Sequence, residues 1–161
     1  KIYLIDESIR DFWLELTKIF LSQEFMVPLL LKFQPWFVDK YGEVLELSYK
    51  AHISLFRDTE LWDLGPHTDQ SDEILGLFFY LPSDVSTSHL GTSIYTPKES
   101  GLTSPEGGRY LREFFDCANT LPFLPNSVFG FLRNDTSFHG VECVKKTRDV
   151  RNLISIQIIK E

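Results

Sequence analysis

Sulfur is nearly absent from this 161-residue chain, which has two cysteines and one methionine. Cys117 and Cys143 belong to no Cys-x-x-Cys pair, which rules out a disulfide framework, a zinc ribbon or a redox dithiol as the organising device. Two packed, reduced thiols are expected, and they fit a cytoplasmic location. Positive charge is also in short supply, with 16 Lys and Arg against 23 Asp and Glu, a net charge of −7. A polyanionic backbone is therefore a poor main partner, and no nucleic acid is expected. A locally basic mouth to a pocket stays open. Long apolar runs are missing too: Leu29-Leu30-Leu31 is flanked by Pro28 and Lys32 and falls far short of the ~20 residues needed to cross a bilayer. No membrane partner is expected. Asp6, Glu7, Arg10 and Asp11 interrupt the start where a signal peptide would keep its apolar region.

What the chain does have is aromatic bulk. Fourteen phenylalanines within a 43% hydrophobic composition describe a globular domain, large enough to bury one core and suited to the wide interior of a sandwich or barrel. We expect a single domain over 1–161, with a helical buttress over 1–43 and a β core over 44–161. Ile9, Phe12, Trp13, Leu16, Ile19 and Phe20 recur at helical spacing, so residues 6–23 should form a helix with an apolar stripe against a sheet. Pro28 and Pro35 should break any long helix over 24–41. From Val44 to Arg57, alternate apolar positions indicate a half-buried strand, with His52 on the exposed parity. Ile74–Pro82 reads as a buried strand, and so do Val128–Leu132 and Arg151–Ile158. Residues 83–108 are rich in Ser, Thr, Pro and Gly, with a short strand at 92–95 and His89 solvated; they should form a loop covering the mouth of the barrel. Residues 109–118 should make a short helix. Many short strands after an N-terminal helical segment predict an antiparallel sandwich or jelly roll.

Chemistry concentrates in Gly65-Pro66-His67-Thr68-Asp69-Gln70. On a strand, positions i and i+2 share a face, so His67 and Asp69 could hold adjacent positions on one metal ion. A further histidine would complete the 2-His-1-carboxylate facial triad, which leaves three positions open on iron(II). His139, in Ser137-Phe138-His139-Gly140-Val141, is the candidate.

Together these features resemble the 2-oxoglutarate and iron(II)-dependent oxygenases of the prolyl-hydroxylase-like type. The resemblance runs over roughly residues 47–160: His-x-Asp, an apolar strand ending at Tyr80-Leu81, a distal His139 followed by Gly-Val, and an arginine opening the last strand. It implies a double-stranded β-helix (jelly roll) buttressed by helices. It also implies Fe(II), with 2-oxoglutarate as co-substrate, O2, and ascorbate as an optional reductant. The activity implied is a dioxygenase that hydroxylates an unactivated C–H bond of a small molecule or protein side chain, with release of succinate and CO2. The metal ligands would be His67, Asp69 and His139. Arg151 would hold the distal carboxylate of 2-oxoglutarate through its planar fork, with Tyr80 bonding the same group and Arg148 and Arg57 as alternatives. Leu153 departs from the small residue usual two places after that arginine. The rival is a cupin-like jelly roll that binds a metal or small ligand without oxygen chemistry, although His67-Thr68-Asp69 has none of the extra histidines a cupin places nearby.

Overall fold

In the computed structural model the chain divides into two compact units, Lys1–Ser48 and Tyr49–Glu161. The structure describes residues 6–144 and 149–161. In the first unit, helix α1 (Glu7–Leu21) starts where the Asp6 carboxylate accepts from the Ser8 amide at 3.0 Å. Ser22 ends it and also caps α2 (Gln23–Phe33), accepting from the Phe25 amide at 3.2 Å. The break therefore falls at Ser22. Pro28, expected to interrupt the segment, sits inside α2. Pro35 opens a single 3₁₀ turn, Gln34–Trp36, and α3 (Val38–Tyr41) stops at Gly42, whose φ of 82° favours glycine. No residue of α1 is fully buried, whereas Met26 and Leu30 of α2 are. Among the described residues no helix is long and apolar enough to cross a membrane.

The second unit is a β-sandwich of two antiparallel sheets. The strands are β1 (Tyr49–Asp58), β2 (Leu64–Thr68), β3 (Glu73–Tyr80), β4 (Thr92–Pro97), β5 (Gly108–Arg109), β6 (Phe115–Thr120), β7 (Ser127–Leu132), β8 (His139–Val141) and β9 (Arg151–Lys160). One sheet runs β1-β9-β3-β7 and the other β5-β2-β8-β4-β6. Three sequence expectations change. The first strand begins at Tyr49, because Val44–Glu46 forms a 3₁₀ turn. Within residues 83–108 the strand expected at 92–95 is present as β4, but it is an inner strand of the second sheet and not part of a covering loop, paired on one side with β8 and on the other with β6. Residues 109–118 make no α-helix. They contribute Arg109 to β5, a 3₁₀ turn at Arg112–Phe114 and the first half of β6. Phe115 drives that outcome by packing with Tyr95 and Phe138, a contact that only strand pairing with β4 supplies.

Cross-strand partners share a face. Gly76, Phe78 and Tyr80 of β3 pair with Gln157, Ser155 and Leu153 of β9, and this face looks into the sandwich. The alternate positions Leu75, Leu77, Ile154, Ile156 and Ile158 are buried as well. Burial on both faces explains why these strands read as continuous apolar runs. A separate cluster of Tyr95, Phe115 and Phe138 is packed by Leu102 and Tyr110. The connection over 98–107 therefore covers that cluster through Leu102, and none of its residues lines the cavity described below. Of residues 83–108, expected to cover the barrel mouth, Thr92 and Gly108 line the cavity.

Candidate metal centre

The two histidines meet because β2 and β8 pair with His67 directly opposite His139. Between Leu64 and His67 the register shifts. Gly65-Pro66 thus forms a bulge within the strand. Gly140 permits it: a Cβ there would stand 2.4 Å from the Leu64 carbonyl oxygen and 2.7 Å from that of Gly65, closer than any side chain tolerates. The bulge aims the Gly65 carbonyl at His67, which donates to it from Nδ1 at 3.0 Å. His139 Nδ1 donates likewise to the Ser137 carbonyl at 3.0 Å. A carbonyl can only accept, so both rings carry their proton on Nδ1 and present a bare Nε2. Asp69 Oδ1 lies 3.8 Å from each Nε2. All three ligand atoms fall within 4.8 Å of one another, a group able to hold a metal ion.

The surroundings keep this group in a ligating state. Burial pushes both imidazoles down, His67 and His139 each to about 4, so both are neutral near pH 7. Burial pushes the Asp69 carboxyl up, opposed by the charges of His67 and Arg133. The Arg133 side chain is almost fully buried and donates from Nε to the Asp69 carbonyl at 3.2 Å. Its other N–H groups reach the Ser104 carbonyl at 3.0 Å, the Pro105 carbonyl and Asp135 Oδ1 at 2.6 Å. Asp69 therefore sits on a backbone fixed from behind. The Phe131 ring packs 4.4 Å from the His139 ring.

A cavity of about 360 Å³ opens in front of the three ligands. Its wall includes Glu73, Phe78, Leu153, Ser155 and Gln157, and Asp58, Thr92 and Arg151 also line it. Arg151 is buried and committed: Nε donates to the Leu90 carbonyl at 2.8 Å, and Nη1 forms a buried ion pair with Asp58 Oδ2 at 2.8 Å. Nη2 lies 3.4 Å from Thr92 Oγ1. Tyr80 is buried, with its hydroxyl 2.6 Å from Thr92 Oγ1 and accepting from the Thr92 amide. It is not among the lining residues, so it reaches the site only through Thr92. Arg57 is exposed, one position out of phase with the lining residues Phe56 and Asp58, and does not line the cavity. Arg148 lies outside the described residues.

Three lining residues carry charges that the sequence did not single out. Asp58 neutralises Arg151 across 93 residues of chain, a pairing set by the β1–β9 register. Glu73 accepts from Gln157 at 2.9 Å; burial and then the charge of Asp69 push its carboxyl up to about 7. Arg109 stands opposite His67 on β5. Only long-range strand pairing reveals any of these, and no local motif marks them.

Fold and site thus define an antiparallel β-sandwich with a partly buried His-Asp-His group able to hold a metal ion. No protein-family profile matches the chain, and no curated protein matches it. Among solved structures it is similar to HygX from Streptomyces hygroscopicus, determined with nickel and 2-oxoglutarate bound, at 15% identity and a TM-score of 0.42. That match covers 71% of this chain and 59% of the HygX chain. It is similar also to a Bacillus endospore appendage protein of a family of disulfide-linked pili, at 10% identity and a TM-score of 0.36, over 71% of this chain and 90% of that one. At these scores neither neighbour decides between functions.

Proposed function

We propose that the chain is an iron(II)- and 2-oxoglutarate-dependent dioxygenase on a double-stranded β-helix, hydroxylating an unactivated C–H bond with release of succinate and CO2. The observation that carries this reading is the donor set: two neutral imidazoles with bare Nε2 atoms and one carboxylate, converging within 4.8 Å at a cavity wall. Two nitrogens and one oxygen of this kind suit iron(II) and leave its remaining positions on the open side. When bound, the iron would activate dioxygen at the expense of 2-oxoglutarate.

The protein's own part is to hold and to exclude. The Gly65 and Ser137 carbonyls fix the ring orientations, as outer partners of metal-ligating histidines do. The Asp69 carboxylate offsets part of the metal charge. Phe78 and Leu153 supply the apolar part of a wall that also carries Glu73, Ser155 and Gln157, and limit water there. Arg151 would receive the distal carboxylate of 2-oxoglutarate through N–H groups left after its bonds to Leu90 and Asp58, with Thr92 beside it.

The Arg151–Asp58 pair favours a second reading, a sandwich that binds metal or a small ligand without oxygen chemistry, because an arginine already neutralised has less to offer a dicarboxylate. Succinate release decides between the two. With iron(II), 2-oxoglutarate and O2, the proposal expects succinate to form at a rate that metal chelation abolishes and a panel of candidate substrates raises. Tight iron binding with no succinate under any condition would leave the second reading standing.

A further inference from the structure

Two arginines line the cavity, and they differ in what they have left to bind. Arg151 is buried among Leu90, Asp58 and Thr92. Arg109 is exposed, and among the described residues it makes no hydrogen bond or ion pair. Its placement is specific. Arg109 pairs with His67, and His67 pairs with His139, so the three residues form one row across the second sheet. Cross-strand partners project to the same face, and neighbouring strands lie about 4.8 Å apart. The guanidinium therefore starts one strand away from a candidate metal ligand, on the ligand's side of the sheet.

The other charges of the cavity have uses of their own. Asp58 neutralises Arg151, Asp69 faces the two imidazoles, and Glu73 is bonded by Gln157. Arg109 is the lining charge without a counterpart among the described residues, and it belongs to a chain of net charge −7. The cavity lining also includes aromatic groups open to solvent: Phe56 and Trp62 each stay 42% exposed.

We propose that Arg109 is a carboxylate-binding residue of this cavity, taking an acid group on the substrate. This rests on reading the cavity as a metal and ligand site. A guanidinium fork donates two parallel hydrogen bonds to a carboxylate, and the exposed aromatic groups would hold the apolar part of an organic acid.

Nickel-loaded protein, which keeps ligands from turning over, is titrated calorimetrically with two matched pairs of probes. The first pair is 2-oxoglutarate and 2-oxobutyrate, the same chelating keto acid without the distal carboxylate. The second is 3-phenylpropionate and its amide, titrated with 2-oxoglutarate saturating. Arg109→Gln is expected to weaken 3-phenylpropionate by about ten- to hundredfold, the scale of a hydrogen bond to a charged group. It should leave the amide, 2-oxoglutarate and 2-oxobutyrate unchanged. Arg109→Lys should restore part of the loss, and Lys98→Gln, an exposed control outside the cavity, should change nothing. The proposal is overturned if 3-phenylpropionate binds the Gln variant as it binds the wild type, if the loss falls on 2-oxoglutarate instead, or if 3-phenylpropionate is not preferred over its amide. Nickel affinity is read on the same samples. If nickel does not bind, the dioxygenase reading fails, while the acid-over-amide preference, repeated on metal-free protein, still judges Arg109.

Discussion

The two ends of the cavity are built on opposite principles. At the histidine end, three ligand atoms face one another across gaps of 3.8 Å and 4.8 Å or less, too far for hydrogen bonds. Each ring is braced from behind by a carbonyl. At the arginine end, a buried cation meets a buried anion at 2.8 Å and a carbonyl at 2.8 Å. The first arrangement costs free energy until a cation arrives; the second is complete as it stands. A buried charged residue is therefore weak evidence of a ligand site by itself. What marks a site is a set of buried polar atoms whose remaining valences point at each other.

The strongest way to break the comparison is at the histidine end. His139→Ala should reduce divalent-metal affinity by more than the roughly 10–100-fold that loss of an outer partner costs, and Asp69→Ala should do the same. Competition against a chromophoric chelator measures both. Loss of either ligand without effect on metal affinity would mean that the three groups do not act together.

At the arginine end the larger effect should be on folding. Arg151→Met leaves Asp58 buried and alone, and should cost about 3–5 kcal/mol in urea unfolding. The double variant with Asp58→Leu should recover much of that, since an apolar pair of similar volume is often neutral. Asp58→Asn sharpens the comparison from the other side. If Arg151 receives 2-oxoglutarate, removing its neutralising partner should tighten 2-oxoglutarate binding, whereas an arginine that only holds β1 to β9 would show lower stability and unchanged affinity.

Acid should separate the ends by a smaller margin. Burial holds His67 and His139 at about 4, against an ordinary 6.5. Between those values the unfolded chain binds more protons than the native one, so stability is full above about pH 6.5 and is lost as pH falls toward 4. At pH 5 the loss should be on the order of 2 kcal/mol per histidine in metal-free protein. Replacing His139 with Gln should remove about half of the slope in that window. A slope that His139→Gln leaves intact would place the titration elsewhere.

Of these two ends the sequence displayed one. His67, Asp69 and His139 could be read as residues, and β3 beside them as a continuous apolar strand, before any pairing was known, whereas the short strands β2 and β8 that carry the histidines have no such pattern. The arginine end depends on which strands become neighbours. Asp58 closes an ordinary alternating strand, and nothing nearby announces that it will meet Arg151. For the same reason residues 109–118 read as a short helix: Asp116-Cys117-Ala118-Asn119 has no alternating pattern, because β6 is the last strand of its sheet and exposes most of these residues. Pro28 misled in the other direction. It sits inside α2, while the helical segment breaks at Ser22, whose hydroxyl gives the next helix its cap.

The smallest expected effect tests what orients the histidine end. A Cβ on Gly76 would stand 2.7 and 2.8 Å from Cε1 and Cζ of Phe131, so Gly76→Ala must move that ring. Phe131 is stacked on Phe129 at 5.3 Å and packs 4.4 Å from His139, which leaves it little room. Overpacking of this kind costs about 1–3 kcal/mol, and the low end is expected because a ring tip gives more easily than backbone. Metal affinity should fall only a few-fold, since the Nδ1 bond from His139 to the Ser137 carbonyl survives the shift. Phe131→Leu in the same chain should recover the lost stability, because it removes the ring atoms that clash. Should Gly76→Ala abolish metal binding as His139→Ala does, then ring packing, and not the carbonyl brace, sets the direction of Nε2.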